Sequence, residues 1–172
     1  VINYISFNLP INYQLVVKEH WAQKARPISF YRKILKLKNV TPLSKSYDIR
    51  AAIDASQIVI VVSGNAGFEA LKQGKKVILF GQAFYDECPN CYRFKGQEPL
   101  YSFFERVITA QLVEKRLVDN YIACLETAAL ENSVEIPSDR LGSGAGANSA
   151  GERLIKLFSL YKNNIETFGT EI

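Results

Sequence analysis

The segment that decides the fold is the apolar run Ile-Val-Ile-Val-Val at residues 58–62, followed directly by Ser-Gly-Asn-Ala-Gly at residues 63–67. The run is β-branched throughout and apolar on both faces, which is typical of a strand in a parallel sheet that helices cover on both sides. The glycines after it suit a tight turn into a helix that Gly74 ends. The segment therefore predicts a central, buried strand that leads into a helix.

The chain around this segment alternates short strands with helical patterns. Hydrophobic periodicity predicts strands at residues 13–18, 40–43 and 76–80, and helices at residues 29–37, 47–55 and 64–73. Strands that alternate with helices form parallel sheets through right-handed crossovers. The first half is thus predicted to be an open α/β sheet of the Rossmann type, a three-layer domain with a parallel sheet.

The second half has a different pattern. Residues 100–130 are rich in Leu, Val and Ile and predict one long helical segment, residues 131–149 are Gly/Ser-rich and predict a loop, and residues 150–172 predict a closing helix. One domain is expected, with residues 1–130 as its Rossmann-like part. The chain begins with Val1 rather than Met, so we expect it to be a piece of a longer protein.

The composition excludes several classes of protein. With 48% hydrophobic and 22% charged residues the chain is globular, and a net charge of +4 without a dense basic stripe argues against nucleic-acid binding. Three cysteines are too few for a disulfide framework, which favours the reducing cytosol. Cys88 and Cys91 form a C-x-x-C pair, which is half a zinc site, a redox pair or a loop without a ligand.

Candidate site residues follow the predicted strands. The carboxyl ends of parallel strands meet at one edge of a sheet, where ligands bind. This edge is expected to gather three groups: Lys18 with His20; the segment Ser63, Gly64, Asn65, Ala66 and Gly67; and Gly81 with Tyr85.

Each group has a functional and a structural interpretation. The segment at 63–67 can hold a phosphate at a helix N-terminus, or it can be a turn that Ser63 or Asn65 caps. Glu69 is not explained by a capping box and can hydrogen-bond a ribose. His20 and Lys18 can bind a phosphate or a sugar carboxylate, while Tyr85 can touch a sugar or simply close its loop.

The order of these pieces resembles the capsular polysaccharide biosynthesis family. The similarity covers residues 9–85 and includes Val-Lys-Glu-His at 17–20. Its strongest parts are Gly-Phe-Glu-Ala-Leu at 67–71, Gly-Lys-Lys-Val-Ile-Leu-Phe-Gly at 74–81 and Phe-Tyr at 84–85. Members of that family look like GT-B glycosyltransferases, some of them Kdo transferases, and this chain is similar to their C-terminal, nucleotide-binding domain.

The resemblance implies a function and a set of partners. Residues 63–67 would hold the phosphates of a CMP- or UDP-linked sugar donor and Glu69 its ribose, with Gly81 and Tyr85 beside them. Lys18 and His20 would be the catalytic groups, facing the phosphate or the sugar acid. No metal or other cofactor is implied.

The acceptor, a polysaccharide or glycolipid, would lie on a separate N-terminal domain. The protein would be cytoplasmic, or peripherally associated with the cytoplasmic face of the inner membrane. Two alternatives stay open: a non-catalytic module of a polysaccharide assembly complex, and an enzyme similar to nucleotide-sugar 2-epimerases.

Overall fold

The computed structural model describes residues 1–20 and 26–134. The chain divides into two compact units, of which the first is Val1–Val113 and the second begins at Glu114. The first unit contains α1 (Ile2–Asn8), β1 (Leu15–Lys18), α2 (Ile28–Leu35), β2 (Val40–Leu43), α3 (Ile49–Asp54), β3 (Ile58–Val61), α4 (Asn65–Lys72), β4 (Lys76–Leu79), β5 (Cys91–Arg93) and α5 (Leu100–Thr109). Helix α6 (Lys115–Val134) belongs to the second unit.

All strand pairs in the first unit are parallel. Strand β1 pairs with β2, with Leu15 opposite Val40, and a three-stranded sheet has the order β3-β4-β5. The predicted strands and helices of the first half are found close to their expected bounds. The α/β class, with parallel sheets flanked by helices in the Rossmann-like manner, is therefore confirmed.

The side chains of the three-stranded sheet alternate between its two faces, and helices pack against both faces. Ile58 and Ile60 of β3 pack with Ile78 of β4 against a core cluster that includes residues of α1 and α5. On the opposite face, α4 packs against β3 and β4 and buries Ala70 and Leu71 completely. The sheet thus forms the middle of three layers.

The central strand is β4 and not β3. The side chains of Val77, Ile78 and Leu79 are fully buried, whereas every residue of β3 is half-buried and Val62 beyond it is 55% exposed. The prediction that residues 58–62 are the buried centre was wrong because, among the strands that the structure describes, β3 pairs with β4 alone, whereas β4 has a neighbour on each side. A fully β-branched run fits an edge position as well as a central one.

The segment predicted to be helical over residues 100–130 consists of two helices, α5 and α6, with a break between them. At Ala110 the backbone becomes extended, with φ −56° and ψ 138°, and the helix ends. The ammonium group of Lys76 donates hydrogen bonds to the carbonyls of Val107 (2.9 Å), Ile108 (3.0 Å) and Ala110 (2.5 Å). This cation satisfies the carbonyls at the negative end of α5 and so favours termination there.

Helix α6 reaches Val134, so the first four residues of the predicted loop at 131–149 are helical. The remainder of that loop and the predicted closing helix at 150–172 lie outside the described residues.

Helix α1 and strand β5 were not predicted. Strand β5 is only three residues long, and the chain enters it through Asn90, whose backbone adopts a left-handed conformation with φ 68°. The buried side chain of Asn90 donates to the carbonyl of Val113 (3.1 Å) and accepts from its N–H (2.8 Å). Asn tolerates the left-handed region better than most residues, so one side chain serves both the turn and the bond to Val113.

Candidate functional site

Two loops meet at the carboxyl edge of the three-stranded sheet, one after β3 and one after β4. The N–H of Phe80 donates to the carbonyl of Val61 (3.0 Å), which draws the two chain segments together just beyond the strands. A Cβ atom on Gly81 would lie only 2.6 Å from the carbonyl oxygen of Val62. Gly81 is therefore required for this close approach of the two backbones.

Tyr85, in the loop after β4, forms a hydrogen bond to the loop after β3 from inside the protein. Its side chain has no exposed surface, and its hydroxyl donates a hydrogen bond to the carbonyl of Gly64. Burial raises the pKa of Tyr85 to about 12, although hydrogen bonding to the backbone of Gly64 and Phe68 opposes the shift. Of the two roles considered for Tyr85, this geometry corresponds to closing the loop, since no part of the ring is accessible to a sugar.

Gly67 makes room for Tyr85. A Cβ atom at this position would overlap the hydroxyl of Tyr85 and would lie 3.0 Å from the Cγ2 atom of Val61. The glycine is buried on the face of α4 that packs against β3. Its absence of a side chain is therefore explained by packing.

The N-terminus of α4 is open to an anion. Ser63, Gly64 and Asn65 are exposed, and Gly64 is the N-cap, which has no side-chain capping bond. The capping role considered for Ser63 or Asn65 is therefore not realised. The N–H of Gly67 donates to the carbonyl of Gly64 (3.3 Å), whereas the N–H groups of Asn65 and Ala66 donate to no acceptor in the part of the chain that the structure describes. These two amides and the helix dipole favour an anion. Ala66 is half-buried within this first turn.

Glu69 lies one turn further along α4. Its side chain is half-buried, and its carboxylate forms no hydrogen bond or ion pair with the residues that the structure describes. The first turn of α4 contains no acidic residue, so this carboxylate does not compete with an anion for the helix N-terminus. The ribose-binding role remains a prediction.

Lys18 and His20 lie at the end of β1 in a separate network. The ammonium group of Lys18 donates to the carbonyls of Lys45 (3.2 Å) and Glu19 (3.3 Å), which ties β1 to the loop after β2. The carboxylate of Glu19 accepts from Arg26 (2.9 Å) and Tyr31 (2.8 Å), and the bond from Tyr31 raises the pKa of that phenol.

Lys18 thus has a structural partner for its charge. His20 is exposed at the end of this network, and its catalytic role stays a prediction.

A second feature of the same edge is a cleft of about 270 Å³ at the end of β5. Three cationic side chains line it together with two carboxylates: Arg93, Lys95, Arg106, Asp86 and Glu87. Arg93 and Asp86 form an ion pair at 3.3 Å. Because β5 is only three residues long, no local pattern in the sequence groups these residues.

One member of the C-x-x-C pair, Cys91, lines this cleft. Cys88 is buried and Cys91 half-buried, and burial raises the pKa of both thiols to about 12. The thiolate is the form that attacks disulfides, so a raised pKa disfavours a redox role for this pair. Among the described residues, no group of three or more His, Cys, Asp or Glu side chains could hold a metal ion.

Phe84, which precedes Tyr85 in the loop after β4, is the exposed aromatic residue of this pair. Its ring is 53% exposed and lies 5.1 Å from the ring of Phe68 and 5.0 Å from that of Tyr85, measured between centroids. The sequence shows two adjacent aromatic residues at positions 84 and 85, but it does not indicate which of the two rings is exposed to solvent.

Within the described parts of the chain, no helix is both long and apolar enough to cross a membrane.

Comparison with known proteins identifies a family. The search of curated proteins gave no match, and the search of solved structures also gave none. The family model described as "Capsule polysaccharide biosynthesis protein" matches residues 5–91, just over half of the chain. The match runs from α1 through β4 to the start of β5, and it includes both loops that form the candidate site. This chain belongs to the capsule polysaccharide biosynthesis family.

Proposed function

We propose that, within capsule polysaccharide synthesis, this chain binds a nucleotide sugar and forms the donor-binding half of a GT-B type glycosyltransferase. The observation that carries the proposal is the open N-terminus of α4 at the carboxyl edge of a parallel sheet. Its first amides lack a side-chain cap, and Tyr85 holds the carbonyl of Gly64 from beneath. A helix N-terminus in this position favours the phosphates of a nucleotide.

The proposal assigns separate tasks to the exposed residues. Ser63, Gly64 and Asn65 contact the donor phosphates, while Glu69 accepts hydrogen bonds from the ribose hydroxyls. Transfer of the sugar leaves negative charge on the departing phosphate. Amides and a dipole that already point to that position stabilise the charge as it develops. His20 approaches the phosphate or the sugar from the end of β1.

The acceptor, a polysaccharide or glycolipid, would be bound by a further domain. We place the reaction in the cytoplasm or at the cytoplasmic face of the inner membrane, where such donors and glycolipids meet.

Titration with nucleotides tests the proposal directly. The chain is titrated with CMP, CDP, UMP, UDP and their common sugar conjugates, with thermal unfolding as a screen and calorimetry for affinity. A ligand that binds only the folded state at a hundredfold excess over its Kd stabilises by about 2.7 kcal/mol, so weak binding is detectable. Preference for CMP supports a donor of the sialic-acid or Kdo type, and preference for UDP supports a hexose donor.

A substitution at the helix N-terminus separates ligand binding from folding. Asn65→Asp places a carboxylate at the first residue of α4, where it stabilises the free protein by roughly 0.3–1 kcal/mol through the helix dipole. The same charge repels a bound phosphate and is expected to weaken nucleotide binding about tenfold. Gln57→Glu is the matched control, because it adds an exposed negative charge at the amino ends of the strands, away from α4's N-terminus. Equal affinity in both variants would contradict a phosphate site at α4.

The ribose contact is tested by Glu69→Ala. Removal of a hydrogen bond to a charged group is expected to lower affinity by about 1.5–3 kcal/mol, with little effect on the affinity for inorganic pyrophosphate. Asp54→Ala serves as control, since Asp54 is exposed at the end of α3 and contributes only its backbone carbonyl to a bond with Lys75. A folded chain that binds no nucleotide but retains a specific protein partner would instead identify a non-catalytic module.

A further inference from the structure

Phe84 is the exposed member of a cluster of three aromatic rings beside the N-terminus of α4. Phe68, on the first turns of that helix, lies 5.1 Å from Phe84 and 5.8 Å from Tyr85. Tyr85 is the buried member, and its hydroxyl holds the carbonyl of Gly64. One compact cluster therefore connects the proposed phosphate site to an aromatic ring in solvent.

The orientation of Phe84 is fixed by its neighbours. Its ring meets Tyr85 nearly at right angles, with an interplanar angle of 89°, and also packs against Phe68. Edge-to-face and tilted contacts between aromatic rings are favourable beyond the area they bury, because the edge of one ring is attracted to the face of the other. They hold the ring while 53% of the side chain remains exposed, so its remaining surface is a preformed apolar platform.

Exposure alone does not indicate a ligand, because single exposed hydrophobic residues are common on protein surfaces. Phe7 is an example, being 78% exposed on α1. Phe84 differs in its position, since it follows β4 at the same edge as the open N-terminus of α4. A ligand anchored there by a phosphate carries its next chemical group within reach of neighbouring side chains.

We propose that Phe84 stacks against a ring of the bound nucleotide sugar. This inference rests on the proposed function. The phosphates of such a donor are flanked on one side by a nucleoside and on the other by the transferred sugar. A nucleobase offers a π-face, and a sugar offers an apolar C–H face, so both can pack flat on a phenyl ring. The shared chemistry is a flat apolar ring face attached to a phosphate.

The test compares ligands with and without rings on four proteins: the whole chain, Phe84→Ala, Phe84→Tyr and Phe7→Ala. The probes are inorganic pyrophosphate, CDP, UDP and UDP-glucose, with affinities from calorimetry. Phe84→Ala is expected to weaken binding of a ring-bearing probe between roughly fivefold and a hundredfold, as loss of base stacking does, and to leave pyrophosphate unchanged. Phe84→Tyr keeps the ring and is expected to bind every probe with the affinity of the unaltered chain. Phe7→Ala is expected to leave these affinities unchanged as well.

The pattern across probes identifies the ring. A loss already present with CDP or UDP assigns the platform to the base, whereas a loss confined to the additional affinity of UDP-glucose over UDP assigns it to the sugar. Unchanged affinity for every probe in Phe84→Ala overturns the inference, and so does an equal loss for pyrophosphate, which would reflect a structural role. If the unaltered chain binds no probe, the proposed function itself fails, and that result is distinct from binding that ignores Phe84.

Discussion

The contact between Gly67 and Tyr85 predicts a strong coupling between two substitutions. Gly67→Ala adds a methyl group that overlaps the hydroxyl of Tyr85, and Tyr85→Phe removes that hydroxyl while keeping the ring. If the hydroxyl is the reason for the glycine, the second substitution should make the first one tolerable. The two changes together should then cost less than the sum of their separate effects.

The magnitudes follow from the contacts. Gly67→Ala gains up to about 1 kcal/mol of helix propensity but incurs roughly 1–3 kcal/mol from overpacking, so a net destabilisation of about 1 kcal/mol is expected. Tyr85→Phe removes the bond to Gly64 and costs about 1 kcal/mol. In the double variant the remaining close contacts are at 3.0 Å, to Cζ of residue 85 and to Cγ2 of Val61. Small shifts relieve these, so the coupling energy should reach at least about 1 kcal/mol.

Urea unfolding followed by circular dichroism measures the four stabilities of the cycle, with constant m values as a check on comparable transitions. Gly96→Ala combined with Tyr85→Phe is the control, because a Cβ at Gly96 would meet no atom within 4 Å. That pair should be additive. If Gly67→Ala and Tyr85→Phe are also additive within about 0.5 kcal/mol, the packing explanation for Gly67 is refuted.

Three further predictions concern the frame of the site. Lys76→Met removes the ammonium group that binds the end of α5 and should destabilise by about 2–3 kcal/mol in urea unfolding, whereas Lys75→Met, which loses one exposed bond, should cost under about 1 kcal/mol. Asn90→Ala should cost more than Asn90→Gly, because both lose the side-chain bonds but only glycine relieves the left-handed backbone; equal losses in thermal unfolding would contradict this. Burial raises the pKa of Cys88 from 9.0 to about 12, so its stabilising contribution is full below pH 9 and is lost as the pH rises towards 12. Cys88→Ala should therefore flatten the decline in the free energy of unfolding over this pH range. Alkylation of the folded protein at pH 8, followed by mass spectrometry, should modify the exposed Cys124 first.

The periodicity of the first half was sufficient to predict its architecture. Strand β2 was predicted at its observed bounds, and Gly74, with φ 72°, ends α4 as its sequence position indicated. Local patterns carry this information because amphipathic helices, β-branched strands and left-handed glycines are determined by near neighbours. Parallel strands joined by helices require right-handed crossovers, which left few topologies to consider.

The features that the sequence did not predict arise where distant residues decide. The end of α5 depends on Lys76, which is more than 30 positions earlier in the chain, and nothing in the local sequence at Ala110 indicates that the helix stops. The central strand is β4 rather than the predicted β3, because the three-residue strand β5 pairs with β4. A strand this short has no periodicity of its own, so only tertiary pairing reveals it.

The candidate site shows the same division between local and tertiary information. Residues 63–67 and Gly81 were singled out from the sequence, and the structure brings their loops together. The structure adds a packing reason for two of these glycines, since a Cβ atom on Gly67 would meet Tyr85 and one on Gly81 would meet Val62. Tyr85 likewise acts from within the protein.

The distinction between packing and contact decides which residues should be tested for function. Substitution of Gly67, Gly81 or Tyr85 will disturb ligand binding whatever the ligand is, because these residues shape the loops. Such losses cannot identify the chemistry of the site. Asn65, Glu69 and Phe84 are different, since their side chains are exposed or half-buried. Phe84 also packs against Phe68 and Tyr85, so binding of pyrophosphate is the control that separates its ligand contact from loop packing. A nucleotide-sugar site therefore predicts three separable effects, on phosphate, ribose and ring contacts, and only a ligand that carries all three groups will respond to all three substitutions.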